Sequence, residues 1–430
     1  MRVRLAPLFY LSISLPMVNV IGDALAQEVV TASAESASPA ESQALQVEQI
    51  RNMVRSFGRK PSTPAQLVQL ARGLEPQAAA GLFLQISNDF MQTGHFDLAA
   101  TVLLQLLDRF PHEPISLDAT LLLIQMYSSS EIAHIHRQTQ DTARQLRLPP
   151  GWHKQSASAA DTVDRSNSIS GMRQYALTIA NGQLQQHPDW AKQSPFAFQC
   201  AATARLSGQS QESKSWLTLL RHKRESAQWR TRALAETWLV DSPDQAAPLP
   251  TTRSLTTDTP PHLDGVLDES FWQSADSFAP HSELNDSKAE ILLAYDAKFC
   301  YVAVRCQRIE GAQYASDNRP RTYDANLAGQ DRILLRLDAD RDYATCFEFT
   351  VDHRGWTADA CWRNTSWNPQ WFVAAASLSK SWIVEMAIPW SELTAESPRA
   401  GETWALSAER ITPTQVSETA LDDFRLLIFN

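Results

Sequence analysis

The stretch Ser366–Trp390, SWNPQWFVAAASLSKSWIVEMAIPW, carries four tryptophans in one short run: Trp367, Trp371, Trp382 and Trp390. Exposed tryptophans stack on sugar rings, whereas buried ones fill the cores of small β-domains. Its second half answers for itself. Trp382, Val384, Met386 and Ile388 alternate with Ile383, Glu385 and Ala387. Residues two apart share one face of a strand, so this continuous apolar face belongs to a core and Trp382 with it. Pro389 ends the strand, and Trp390 seats the turn that follows. Trp371 faces core or solvent depending on the loop before Trp382, because a one-residue slip reverses its side. Trp367 lies in the polar loop RNTSWNPQW, which can expose it. Trp367 and Trp371, with Arg363, Asn364 and Asn368 beside them, are therefore the candidate ligand-binding residues.

The period of two extends outward from this stretch. AEILLAYDAKFCYVAVRCQ reads as two strands around Asp296-Ala297-Lys298, DRILLRLDAD as another, and ATCFEFTVDHRGWTADACW as a hairpin turning at His353-Arg354-Gly355. Short antiparallel strands with frequent turns predict a β-sandwich over residues 254–430. A tight turn would pair Val351 with Trp356 and Thr345 with Trp362, placing both tryptophans in the core. The same register sets Cys346 opposite Cys361, a candidate cross-strand disulfide. Cys300 and Cys306 lie too far apart along one strand to bridge and are expected to be small buried hydrophobes.

Residues 45–240 have a different period. GLFLQISNDFMQTGHFDLAATVLLQLLDRFPHEP places apolar residues three and four apart, breaks at Gly94 and stops at Pro111. This unit resembles a tetratricopeptide repeat, and more degenerate helix pairs follow it. A solenoid of that kind implies a protein partner. His134 and His136 diverge on a helix and are expected at the surface. The predicted fold class is thus multidomain α plus β. Residues 241–253, DSPDQAAPLPTTR, form the expected linker.

Residues 1–26 have the order of a signal peptide: Arg2 and Arg4, an apolar run, then Ala24-Leu25-Ala26. An Ala/Ser/Glu-rich tether is expected over 27–44. A secreted or periplasmic location follows, with no transmembrane segment after signal removal. The net charge of −10 argues against a nucleic-acid partner, which would call for a basic footprint. No GxSxG, HExxH or phosphate-cradling glycine loop occurs, so no catalytic residues are assigned.

LDADRD offers Asp338, Asp340 and Asp342 at a strand end, oxygen ligands at alternating positions that suit calcium. Asp264, Asp268 and Glu269 in DGVLDE are a weaker second set.

The ordered series LDGVLDESFWQSA, AYDAKFCYVAVRC, DRILLRLDADRD, CFEFTVDHRGWTADA, WNPQWFVAAA, WIVEMAIPWSEL and WALSAERI resembles the family 9 carbohydrate-binding modules and their relatives. The resemblance implies a non-catalytic β-sandwich, often with structural calcium, and a saccharide ligand. In sugar-binding members two tryptophans sandwich a terminal sugar ring. Here Ala328 stands at the first position and no aromatic precedes Phe424 at the second. Two functions are consistent with this: carbohydrate or similar polar-ligand binding, and a structural or assembly scaffold that has lost sugar binding.

Overall fold

The computed structural model describes residues 39–430 except 140–143, 150–167, 224–225, 242–243, 283–287, 315–322 and 414–422. The expected signal peptide and most of the expected tether lie outside the described residues.

The first half is helical: α1 (Pro39–Phe57), α2 (Thr63–Leu70), α3 (Pro76–Met91), α4 (Phe96–Arg109), α5 (Ser116–Ser128), α6 (Ser130–Gln138), α7 (Ile169–Gln186), α8 (Ser194–Leu206), α9 (Ser210–Arg221) and α10 (Ala227–Asp241). Helix α1 begins inside the stretch expected to be a tether. Sequence neighbours pack together, α3 on α4, α8 on α9 and α9 on α10. Gly94 makes the α3–α4 turn at φ 71°, a left-handed conformation that glycine adopts without strain. Phe96, Ala99 and Ala100 are buried against it, as the helical period demands. Among the described residues, no helix is long and apolar enough to cross a membrane.

The second half is one large curled mixed sheet. Its strands are β1 (Thr251–Thr256), β2 (Ser277–Phe278), β3 (Ala289–Tyr295), β4 (Phe299–Gln307), β5 (Arg332–Asp338), β6 (Phe347–Asp352), β7 (Thr357–Cys361), β8 (Phe372–Ser377), β9 (Ser381–Pro389), β10 (Thr403–Ile411) and β11 (Arg425–Phe429). They run β7-β6-β5-β10-β11-β1-β3-β4-β9-β8, with β2 beside β3. Strand β1, which starts inside the expected linker, joins the two runs. Thr251–Ser254 pairs with β11, and Leu255 and Thr256 pair with β3.

The runs share one core. Tyr295 of β3 meets Phe429 of β11 edge-on at 5.2 Å, and Trp390 meets Trp404 of β10 at 5.8 Å. Arg410 of β10 is buried in a pair with Asp331 (2.7 Å). Trp382 Nε1 donates to the same carboxylate at 2.8 Å. Trp382, Val384, Met386 and Ile388 are all buried, as their alternation requires. The outer face of β3, β4 and β9 is covered by residues 263–275, whose Trp272 packs with Leu292, Ala294, Tyr301, Ala303 and Ala387. Glu385 holds this cover by accepting the Asp264 and Gly265 amides, at 3.1 and 2.8 Å.

The β6–β7 hairpin corrects the expected register. Val351 pairs with Thr357, not Trp356, and Phe347 pairs with Cys361. The turn is one residue longer, because Asp352 Oδ1 accepts the amides of both Arg354 and Trp356 and Gly355 adopts φ 80°. Cys346 is therefore not opposite Cys361, and all five cysteines are free and buried. Trp356 and Trp362 are only half-buried. Arg354 lies over Trp356 (4.2 Å to the ring centre), and Trp362 stacks on Phe96 of α4 at 6.2 Å.

Candidate functional site

The tryptophan platform is not where the sequence placed it. Trp367 is 8% exposed and Trp371 3%. Trp367 packs on Phe347 (5.1 Å) and Phe349 (5.7 Å); Trp371 packs on Phe349 and donates Nε1–H to Asp359 at 3.1 Å. Neither indole can stack on a sugar. The polar loop around them is used by the helical half. Arg363 Nη1 donates to Asn88 Oδ1 at 3.1 Å, and the Thr365 amide donates to the Gln92 carbonyl at 3.2 Å. Asn364, also buried, lies against Gly94, where a Cβ would come within 3.1 Å of its amide nitrogen. Asn368 alone of the five remains an exposed residue free of these contacts. The expectation is corrected for four of the five: Trp367 and Trp371 are core, and Arg363 and Asn364 are junction.

The junction between the halves gathers acid. Glu131 stands in the first turn of α6, where its carboxylate favours the helix N-terminus. Its Oε1 accepts the Ala339 amide at 2.7 Å, and its Oε2 accepts the Ser129 hydroxyl at 2.8 Å. One oxygen each from Glu131, Asp338 and Asp340 lies within 4.8 Å of the others, and all three residues are buried. Asp340 Oδ2 accepts the Ser130 amide at 2.7 Å, whereas Asp340 Oδ1 is buried without a hydrogen-bond partner.

Asp342, the third residue of the expected calcium set, does not belong to this group of converging oxygens. Its Oδ1 accepts the amides of Ala344 and Thr345, both at 2.7 Å, and its Oδ2 accepts the Thr345 hydroxyl at 3.0 Å. Glu131, contributed by the helices, takes its place in the cluster. Periodicity could not have found it, since 208 residues separate it from Ala339. Asp264 and Glu269 are likewise engaged locally, with the amides of Val266 and His262.

Burial, and then repulsion from neighbouring acids, pushes Glu131 and Asp338 well above the usual carboxylate range. The same causes raise Asp342 to about 7. Arg173 attracts Asp340 and Glu131 and Arg341 attracts Asp338, but the hydrogen bonds and ion pairs of the nearby arginines go to other groups. Arg341 and Arg205 pair with Glu236 of α10 at 2.9 and 3.3 Å. Arg173 donates to the Ser128 and Leu206 carbonyls and to the Ser130 hydroxyl. The histidines of α6 are buried, not exposed: His134 Nε2 donates to the Ser391 carbonyl at 2.9 Å, and His136 Nδ1 accepts the Leu146 amide at 2.9 Å. Helix α6 is covered by the sheet half, so its second face is not a water face.

A separate groove of about 1190 Å³ opens where β3 begins, β4 ends and β9 begins. Lys288, Glu290, Arg305, Arg308, Tyr314 and Lys380 supply its polar wall. Arg305 pairs with Glu290 across β3 and β4. Arg308 lies over the Tyr314 ring at 4.7 Å and donates to the Ser377 hydroxyl at 2.7 Å, while its Nε is buried without a partner. Tyr314 is fixed by donating its hydroxyl to Asp331 at 2.6 Å and accepting the Ile309 amide at 2.9 Å. Burial and the Asp331 hydrogen bond raise its pKa to about 12, so it stays a neutral donor. Sequence reading passed over this groove because its residues come from strand ends without a shared motif.

No family model matches the chain, and no curated protein does. Solved structures are similar to part of it. A family 9 carbohydrate-binding module from Caldicellulosiruptor kristjanssonii in complex with glucose is 13% identical, with a TM-score of 0.32 over 42% of this chain and 95% of that one. The same organism's family 9 module in complex with cellotriose gives 15%, 0.31, 42% and 93% in the same order. A protein from Bacteroides uniformis, provisionally described as carbohydrate-binding, is 9% identical with a TM-score of 0.32 over 42% of this chain and 99% of its own.

Proposed function

We propose that this is an exported, non-catalytic protein whose β half, a sandwich, binds a carbohydrate or similarly polar ligand in the groove beside Tyr314. The helical half, a degenerate tetratricopeptide-like array, serves as an arm for a protein partner. The groove itself carries this reading. It is open and large enough for a few sugar units, and its wall mixes charged donors and acceptors around an aromatic ring. Saccharide hydroxyls need such a mixture: the Arg305–Glu290 pair offers a donor fork and an acceptor side by side. The test is a glycan array followed by calorimetry on the full chain and on Arg308→Ala and Tyr314→Phe variants. A glycan whose affinity falls at least tenfold in Arg308→Ala, with melting unchanged, supports the groove. Absence of binding to every glycan sinks the reading.

A second reading is a structural or assembly scaffold. The burial of Trp367 and Trp371, together with alanine at position 328, favours it. In that case a partner bound by the helices persists in pull-downs while no glycan is retained.

A further inference from the structure

We propose that the acidic junction is a binding site for a hard divalent cation of the calcium class. Glu131 of the helical half and Asp338 and Asp340 of the β half ligate it together, so that the ion locks the two halves. This inference is independent of the groove and of any saccharide.

Three observations carry it. The first is convergence: one carboxylate oxygen from each of the three residues lies within 4.8 Å of the other two, close enough for a single ion to touch all of them. The second is the state of Asp340. The residue is 4% exposed, Ser130 donates to its Oδ2, and its Oδ1 has no partner at all. A buried carboxylate oxygen left without a donor is costly, and either a proton or a cation removes that cost. The third is the lack of a bonded counter-ion: Arg173 attracts Asp340 and Glu131, and Arg341 attracts Asp338, but each makes its hydrogen bonds to other groups. Among the described residues, no arginine, lysine or histidine nitrogen forms an ion pair with Glu131, Asp338 or Asp340. Arg341 and Arg205 are committed to Glu236, and Arg173 to carbonyls and the Ser130 hydroxyl.

The chemistry of the donors selects the ion. They are all carboxylates, and no thiol or imidazole belongs to the group. That set suits calcium, magnesium or manganese, not zinc or copper. Their origin gives the ion its consequence. Glu131 is held by the Ala339 and Ser129 donors, and Asp338 by the Asp342 and Tyr343 amides, so each half presents a prepared part of the site. Neither part is complete alone. Binding to the joined form only would stabilise the joined form by mass action.

The experiment uses the full chain, stripped with chelator and then titrated with calcium chloride. Stoichiometry and affinity are read by calorimetry, and terbium luminescence provides a second readout of an ion held by carboxylates. Magnesium chloride serves as the competing ion. The expected result is one site per chain, a rise in melting temperature on calcium addition, and loss of at least tenfold in affinity in both Glu131→Gln and Asp340→Asn. Limited proteolysis of the stripped chain should become faster between the halves and return to its original rate with calcium. If one variant fails to fold, the other still decides. Lack of calcium and terbium binding by the stripped chain would overturn the proposal. So would undiminished calcium affinity in both variants, because the ion would then sit elsewhere. A variant that binds no ion yet melts higher than a likewise non-binding parent would also overturn it, by showing carboxylates that share protons instead of a metal.

Discussion

The backbone amide of Ala339, just past β5, donates to Glu131 Oε1 at the start of α6 at 2.7 Å, across 208 residues of sequence. A carboxylate from the helices thus closes the loop that ends a strand. Ser130, His134, Gln199 and Arg205 also reach across from the helices, to Asp340, Ser391, the Asp342 carbonyl and the Asp340 carbonyl. These contacts are buried or part-buried and specific, so the halves form a keyed pair, in contrast to two beads on a linker.

Glu236 carries the outer part of the key. Burial alone would raise its pKa, but Arg205, Arg341 and the Tyr343 hydroxyl outweigh burial and hold it below the usual value. Glu236→Ala leaves Arg341 buried without its partner, and the loss should be about 3–5 kcal/mol. Urea denaturation at pH 7 measures it. A loss below about 1 kcal/mol, typical of an exposed pair, contradicts the account.

Gly265 is the tight point of the cover over the outer face. It adopts φ 83°, and a Cβ there would sit 2.7 Å from the Ala376 Cβ and 2.8 Å from the Ala376 amide nitrogen. The obstacle is backbone, which cannot swing aside. Gly265→Ala is expected to destabilise by more than about 1 kcal/mol, beyond the cost of the left-handed conformation alone. An unchanged melting temperature would show that the cover does not pack as described.

His136 makes the fold acid-sensitive. Burial pushes its pKa down from 6.5 to about 3. A histidine depressed in the folded state contributes its stability fully above pH 6.5 and loses it as the pH falls toward 3. The loss is about 1.4 kcal/mol per pH unit within that window. Glu131, Asp338 and Asp342 are raised and act in the opposite sense, so the useful quantity is the difference between the parent and His136→Gln. The parent should lose stability faster between pH 6.5 and 5. Parallel curves refute the burial of that imidazole.

The hairpin register has a chemical signature. With Phe347 opposite Cys361, no disulfide joins Cys346 to Cys361. Unfolding the chain without reductant should therefore release five thiols to a colorimetric reagent, and three would restore the tighter register.

Much of the β half was legible in the sequence. Alternation placed Trp382, Val384, Met386 and Ile388 in the core, and Asp296 turned β3 into β4, because a strand's faces depend only on its own residues. What depended on turn length was not legible: Asp352 capping two amides added one residue and moved Cys361 past Cys346. What depended on distant chain was hidden altogether. RNTSWNPQW reads as an exposed polar loop until Asn88, Gln92 and Gly94 are brought against it. The alternating spacing of Asp338, Asp340 and Asp342 suits a calcium set in sequence. Glu131 has no local pattern to announce it, and nothing in the spacing separates Asp342 from Asp338 and Asp340, whose oxygens converge on Glu131 while its own do not.

The central functional claim is that the ligand surface is the groove beside Tyr314 and not the tryptophan run. Hydrogen–deuterium exchange of the full chain, with and without the tightest glycan from an array, tests it most directly. The account predicts new protection at Lys288–Glu290, Arg305–Glu310 and Ser379–Ser381, with Ser366–Phe372 unchanged. Protection confined to Ser366–Phe372 would return the binding role to Trp367 and Trp371 and contradict the account.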